Sequence, residues 1–205
     1  MMFLIIIAIL TIGVKSAKIL HQNKFLLDNE NWSIIGNKNY EPAVHQSYNI
    51  DKDLSHYIMF KDNLINVDHK NKNDQTLWYF RSPDIIITKE YKLGTLKKQI
   101  KHPKLLTFTM TSFVGDFSKL NEDVALVKLK NSKNCLIFNA PVYDGKTHVF
   151  NVPFINTLWE HEINKKIPVT QEELNNMFIG PLSIEILGDW TQGMEVVAID
   201  NFTII

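Results

Sequence analysis

A single cysteine, Cys135, stands in the 205-residue chain, which excludes an intramolecular disulfide even in an oxidising compartment. The fold must therefore hold by packing alone. Cys135 opens the apolar run Cys135-Leu136-Ile137-Phe138, with no neighbouring His or cation to lower its pKa, so a buried inert thiol is expected. Net charge is also lacking. Twenty-two basic side chains balance 22 acidic ones, and the lysines are scattered rather than striped, so the sequence carries no footprint for nucleic acid or an anionic membrane surface. No metalloprotease helix, nucleophile elbow or phosphate-cradling glycine loop occurs, and the seven histidines lack zinc-ligand spacing.

Long hydrophobic runs are missing too. Phe3 to Val14 is uncharged and apolar but only 12 residues long. At ~1.5 Å per residue it reaches about 18 Å, short of the roughly 30 Å hydrocarbon core. With the small residues Ser16 and Ala17 behind it, the run reads as a cleaved signal peptide, although its start lacks a basic side chain; an uncleaved single anchor is the alternative. Cleavage is expected after Ser16, or alternatively after Ala17. Residues 17–205 are then one domain, able to bury roughly 70% of its unfolded surface. The expected location is extracellular, with no stable membrane span after cleavage. Two sequons, Asn31-Trp32-Ser33 and Asn201-Phe202-Thr203, are candidate glycosylation sites, although such short motifs recur by chance in an Asn-rich chain.

What is present is strand periodicity. In Leu105 to Ser112, Leu106, Phe108 and Met110 alternate with Thr107, Thr109 and Thr111, the pattern of a half-buried antiparallel strand. The alternation returns in Ala125-Val127-Leu129, Phe150-Val152-Phe154 and Leu182-Ile184-Ile186, separated by Gly115-Asp116, Asn131-Ser132 and Asp144-Gly145. Leu77 to Phe80 forms a dense aromatic strand that Pro83 ends. Residues 35–55 show no sustained period and read as a long loop. The last stretch, Gly193 to Ile205, read as a regular strand, puts Met194, Val196, Ala198, Phe202 and Ile204 on one face together with Asp200. One helix is expected over about 171–179: Thr170-Gln171-Glu172-Glu173 is a capping box, Leu174, Met177 and Phe178 share a face, and Gly180-Pro181 stops the chain. These elements predict an all-β, antiparallel β-sandwich with one short capped helix.

The order of the pieces resembles the laminin IV domain, also called the laminin B domain, of extracellular matrix proteins. Phe25-Leu26-Leu27-Asp28 with Trp32 is similar to that family's opening strand. Trp78-Tyr79-Phe80-Arg81-Ser82-Pro83 resembles its aromatic strand ending in Pro, and Phe150-Asn151-Val152-Pro153-Phe154 with Trp159 resembles a later strand and following Trp. Val169 to Phe178 is similar to its capped helix and Ala198 to Phe202 to its closing Asp-Asn strand. The resemblance implies a jelly-roll sandwich of the galactose-binding-like kind, acting as a secreted, non-catalytic binding or adhesion module on a glycan or an extracellular protein. The alternative is a carbohydrate-active protein on the same fold, either a lectin or a glycoside hydrolase.

Sandwiches similar to this one often share a calcium ion between an acid near the first strand and an Asp in the last. Asp28 and Asp200 match those positions, with Glu30 as a third candidate ligand, and a core-facing carboxylate is costly unless paired or coordinated; the alternative is that Asp200 accepts backbone amides across a turn, or that a bulge turns it to solvent. Among the aromatic residues, Trp78, Tyr79 and Trp159 read as core. Trp190, between Gly188 and Gly193, reads as an exposed loop residue able to contact a ligand. Glu160-His161-Glu162 gathers two carboxylates about an imidazole, but in an extended chain His161 points away from both, and the segment reads as a solvated acidic patch. No catalytic residue is assigned.

Overall fold

A computed structural model describes residues 18–25, 29–36, 44–46, 57–61, 77–87, 102–121 and 123–205. In chain order these form β1 (His21–Asn23), β2 (Ser33–Ile35), β3 (Val44–Gln46), β4 (Tyr57–Lys61), β5 (Tyr79–Arg81), β6 (Leu105–Val114), β7 (Ala125–Lys130), β8 (Cys135–Asn139), β9 (His148–Pro153), β10 (Glu160–His161), α1 (Gln171–Asn176), β11 (Ser183–Leu187) and β12 (Val196–Ile204). The leader read from Phe3 to Val14 lies outside the described residues, and so does Asp28.

The strands make two six-stranded antiparallel sheets, the sandwich expected from the alternation; the jelly-roll form is what the resemblance implied. One runs β3-β4-β12-β6-β9, with β1 also paired to the end of β12; the other runs β10-β8-β7-β11-β5-β2. The faces follow from the period of two. Leu106, Phe108 and Met110 of β6 and Ile58 and Phe60 of β4 turn inward, against Val127 and Leu129 of β7 and Ile184 and Ile186 of β11. Trp78, Tyr79 and Phe80 are buried in the same core. Residues 35–55, read as loop, contain the short strand β3.

The helix starts where the capping box puts it. The Thr170 amide donates to Glu173 Oε2 at 2.9 Å, and the Glu173 amide donates to Thr170 Oγ1 at 3.1 Å. Leu174, Met177 and Phe178 are fully buried, and after Asn176 the chain continues as turns through Ile179 rather than as helix.

The closing strand departs from the expected register. Val197, Ile199, Phe202 and Ile204 face the core, not Met194, Val196 and Ala198. A bulge causes the change: the pairing of β12 with β6 slips between Asp200 and Thr203, and Asn201 takes φ 52°. One extra residue lets Ile199 and Phe202, three apart, point the same way. Asp200 therefore lies on the outer face of its sheet opposite Thr109, buried but not core-facing. Ala198 packs beside Tyr57 on that outer face, and Met194 is 38% exposed.

Candidate functional site

Strand direction sends three loops to one end of the sandwich: β6–β7, β8–β9 and β11–β12. Between them lies an open cavity of about 620 Å³. The first loop turns on Asp116, whose Oδ1 accepts from the Ser118 amide at 3.2 Å and the Ser118 hydroxyl at 2.5 Å, while Oδ2 meets Lys119 Nζ at 3.2 Å. Those bonds, the Ser118 hydroxyl first, hold the Asp116 carboxyl below the usual range. Leu120 then forms an isolated bridge with Thr191. The Asn121 amide donates to the Trp190 carbonyl at 2.8 Å, and the Gln192 amide to the Lys119 carbonyl at 3.0 Å.

Side chains strengthen this clasp. Asn121 Nδ2 donates to the carbonyls of Asp189 at 3.0 Å and Thr191 at 3.4 Å, and to Asp189 Oδ1 at 3.2 Å. Glu195, fully buried, accepts the Trp190 amide on both oxygens at 2.9 and 3.1 Å. A buried carboxylate is tolerable where charge-assisted bonds replace water. The third loop adds Pro141 and Val142 as an apolar lip, anchored by the Ala140 amide donating to the Val124 carbonyl at 2.9 Å. Phe117 and Trp190 line the cavity, together with the polar residues Ser118, Lys119, Asn121, Asp123 and Gln192.

Trp190 corrects the sequence expectation of an exposed residue, since it is only 2% exposed. The Asn121 and Glu195 bonds fold its loop back over the sandwich. Its ring enters between Tyr143, centroids 4.6 Å apart, and Phe150, 6.1 Å apart, and its Nε1 donates to Met110 Sδ at 3.2 Å. It contributes wall to the cavity rather than a platform standing in solvent. Burial first, then the nearby Asp144, pushes the Tyr143 phenol above its ordinary range.

The calcium candidates are differently placed. Glu30 spends its carboxylate on its own loop: Oε1 accepts the amides of Lys24 at 3.1 Å and Phe25 at 2.7 Å, and Oε2 accepts Asn23 Nδ2. Asp200 accepts the Asn201 amide at 2.6 Å and Asn201 Nδ2 at 3.1 Å. On both residues each oxygen already accepts at least one N–H donor. Among the described residues no three His, Cys, Asp or Glu side chains are gathered to hold a metal. Both sequon residues, Asn31 and Asn201, are exposed.

Glu160-His161-Glu162 disperses into separate contacts. Glu160 lies 3.9 Å from Lys165, His161 Nε2 lies 3.9 Å from Glu173, and Glu162 pairs with Lys128 at 2.7 Å. Lys128 also sits over the Tyr79 ring, 4.6 Å from its centroid. In the same group Glu185, 1% exposed, meets Lys130 Nζ at 3.2 Å. Burial, and then the hydrogen bond with Glu162, pushes the half-buried Cys135 thiol up to about 12, so it stays protonated and unreactive.

The sequence matches no family model and no curated protein. The structure is similar to the L4b domain of human laminin alpha-2, with a TM-score of 0.58, 10% identity, and 90% of this chain and 95% of that one covered. It is also similar to the solution structure of CtCBM11, a carbohydrate-binding module, with a TM-score of 0.50, 11% identity, and 93% and 97% covered. The two-sheet antiparallel β-sandwich expected from the sequence is the fold observed, and it is similar to that of the laminin L4b domain.

Proposed function

We propose that the chain is a secreted, non-catalytic binding module that takes a glycan at its loop-tip cavity. The observation that carries the reading is the chemistry of that cavity. Hydroxyl, amide and charged groups from two loops surround an aromatic and Pro-lined wall, a mixture suited to a ligand with many hydroxyls and a less polar ring face. The volume falls within the roughly 300–1,000 Å³ usual for small-ligand sites. Among the described lining residues Asp123 is the sole carboxylate, and no His or Cys accompanies it. The carbohydrate-binding neighbour and the laminin neighbour support a binding role and an extracellular setting. The apolar run Phe3 to Val14 supports export.

The test is a glycan array followed by titration calorimetry, using wild type and the double variant Lys119→Ala/Gln192→Ala. Both side chains are exposed, and the bridge they flank is made by backbone, so the variant keeps its fold. Loss of two hydrogen-bonding groups weakens binding roughly tenfold or more.

A structural Ca²⁺ held by Asp28, Glu30 and Asp200 is the second part of the proposal. It is supported by the pairing of β1 with β12, which sets Asn23 opposite Phe202, and by the bond from Asn23 Nδ2 to Glu30. Calcium titrated into chelator-treated protein is expected to release or absorb heat and raise the thermal midpoint by mass action. Neither effect at millimolar calcium would contradict it.

A further inference from the structure

Each of the three loops around the cavity is joined to both of the others. Leu120 bridges Thr191 and the Asn121 amide donates to the Trp190 carbonyl at 2.8 Å, so the β6–β7 and β11–β12 loops make one wall. At the next junction the Ala140 amide, on the β8–β9 loop, donates to the Val124 carbonyl at 2.9 Å. The remaining junctions are aromatic. Tyr143 of the β8–β9 loop meets Trp190 at a centroid separation of 4.6 Å and Phe117 of the β6–β7 loop, edge to face, at 5.4 Å.

Two glycines admit the Phe117 ring. A Cβ built on Gly115 would stand 2.7 Å from Phe117 Cε2, and one built on Gly145 only 2.5 Å from it. Gly145 lies in the β8–β9 loop, and its carbonyl accepts the Ser112 amide of β6 at 3.0 Å, so backbone and ring together lock the first loop to the third. The circuit of contacts is complete. A cavity so bounded is a cup with one mouth, not a groove that a chain enters at one end and leaves at the other.

The surface outside the cup fits the same view. Every tryptophan and tyrosine among the described residues is buried, so the described surface offers no row of exposed Trp or Tyr rings on which successive sugars of a chain would stack. Charge narrows the ligand further. Lys119 is the sole cation among the described lining residues, and Asp116 already meets its Nζ at 3.2 Å, while Asp123 adds a negative charge. A carboxylate or sulfate on the sugar would enter without a free counter-charge, at a cost in desolvation.

Given the glycan-binding reading, on which this rests, we infer that the cup takes the uncharged terminal sugar at the non-reducing end of a glycan, and not the interior of a polysaccharide chain. The reducing end of an extracellular glycan is tied to its carrier, which leaves the other end to enter.

The experiment is calorimetric titration of the intact protein with the oligosaccharide that it binds best on a glycan array, prepared as di-, tetra- and hexasaccharide sharing one non-reducing end. Equal molar affinity across the series is expected, because sugars beyond the mouth add no contact. Removing the terminal residue with an exoglycosidase, so that a different sugar is exposed, should lower affinity roughly tenfold or more. Lys119→Ala/Gln192→Ala should weaken all three lengths by the same factor. Affinity that climbs with each added sugar, binding that survives the trimming, or a preference for sialylated or sulfated ends would overturn the inference while leaving glycan binding intact. Absence of binding to every glycan on the array would remove the glycan-binding reading and this inference together.

Discussion

Replacing Trp190 with alanine should cost about 3–5 kcal/mol of folding stability, the range for truncating a buried tryptophan. The ring is 2% exposed and touches Tyr143, Phe150 and Met110, so its removal opens a cavity in the core beneath the loop end. The effect spreads to the cavity wall. Without the ring, the Trp190 backbone keeps its bonds to Glu195 and Asn121, but the loop they shape rests on nothing. Chemical denaturation read by far-ultraviolet circular dichroism checks this, and a change within about 0.5 kcal/mol, the scale of a surface substitution, would contradict it. A fall in glycan binding by this variant would be no measure of contact, because the wall itself is lost. The exposed pair Lys119 and Gln192 serves that purpose instead.

Gly188→Ala should be the second severe change. A Cβ built there would sit 1.8 Å from Trp78 Cζ3 and 2.2 Å from Cη2, far inside van der Waals contact. Neither partner can step aside. The Gly188 and Asp189 amides both donate to the Trp78 carbonyl, at 3.1 and 3.2 Å, tying the two backbones together. The Trp78 ring is itself held between Phe60 and Phe80, at centroid separations of 4.8 and 5.3 Å. Overpacking of this kind costs about 1–3 kcal/mol and sometimes more. Glycine is needed for the close approach of a ring and not for a left-handed backbone. A lowered denaturation midpoint with an unchanged slope is the expected record. An unchanged midpoint would show that the strand end yields.

These two positions also mark where sequence reading succeeds and where it stops. Trp78 was legible as core because it sits in an apolar strand whose period of two leaves few choices. The capped helix was legible because Thr170 and Glu173 act within four residues of each other. Trp190 was not, because its local surroundings, two glycines and polar neighbours, match a solvent-facing hairpin, and what buries it is tertiary. Asn121, 69 residues away, clasps its loop, and Glu195 pulls its amide inward. The face of Asp200 was left between two readings for a related reason. A bulge at Asn201 shifts the period by one, and no pattern in Asp200-Asn201-Phe202 announces it beyond Asn being tolerant of positive φ. The cavity was the least legible feature, since its walls come from loops separated by whole strands.

Glycan recognition at the loop tips is tested most directly by amide chemical-shift mapping during titration with an oligosaccharide selected on the array. The glycan-binding reading predicts saturable shifts concentrated in residues 117–124, 140–142 and 190–192, weakened roughly tenfold or more in Lys119→Ala/Gln192→Ala. Shifts confined to another face of the sandwich, or no saturable binding to any glycan on the array, would contradict it.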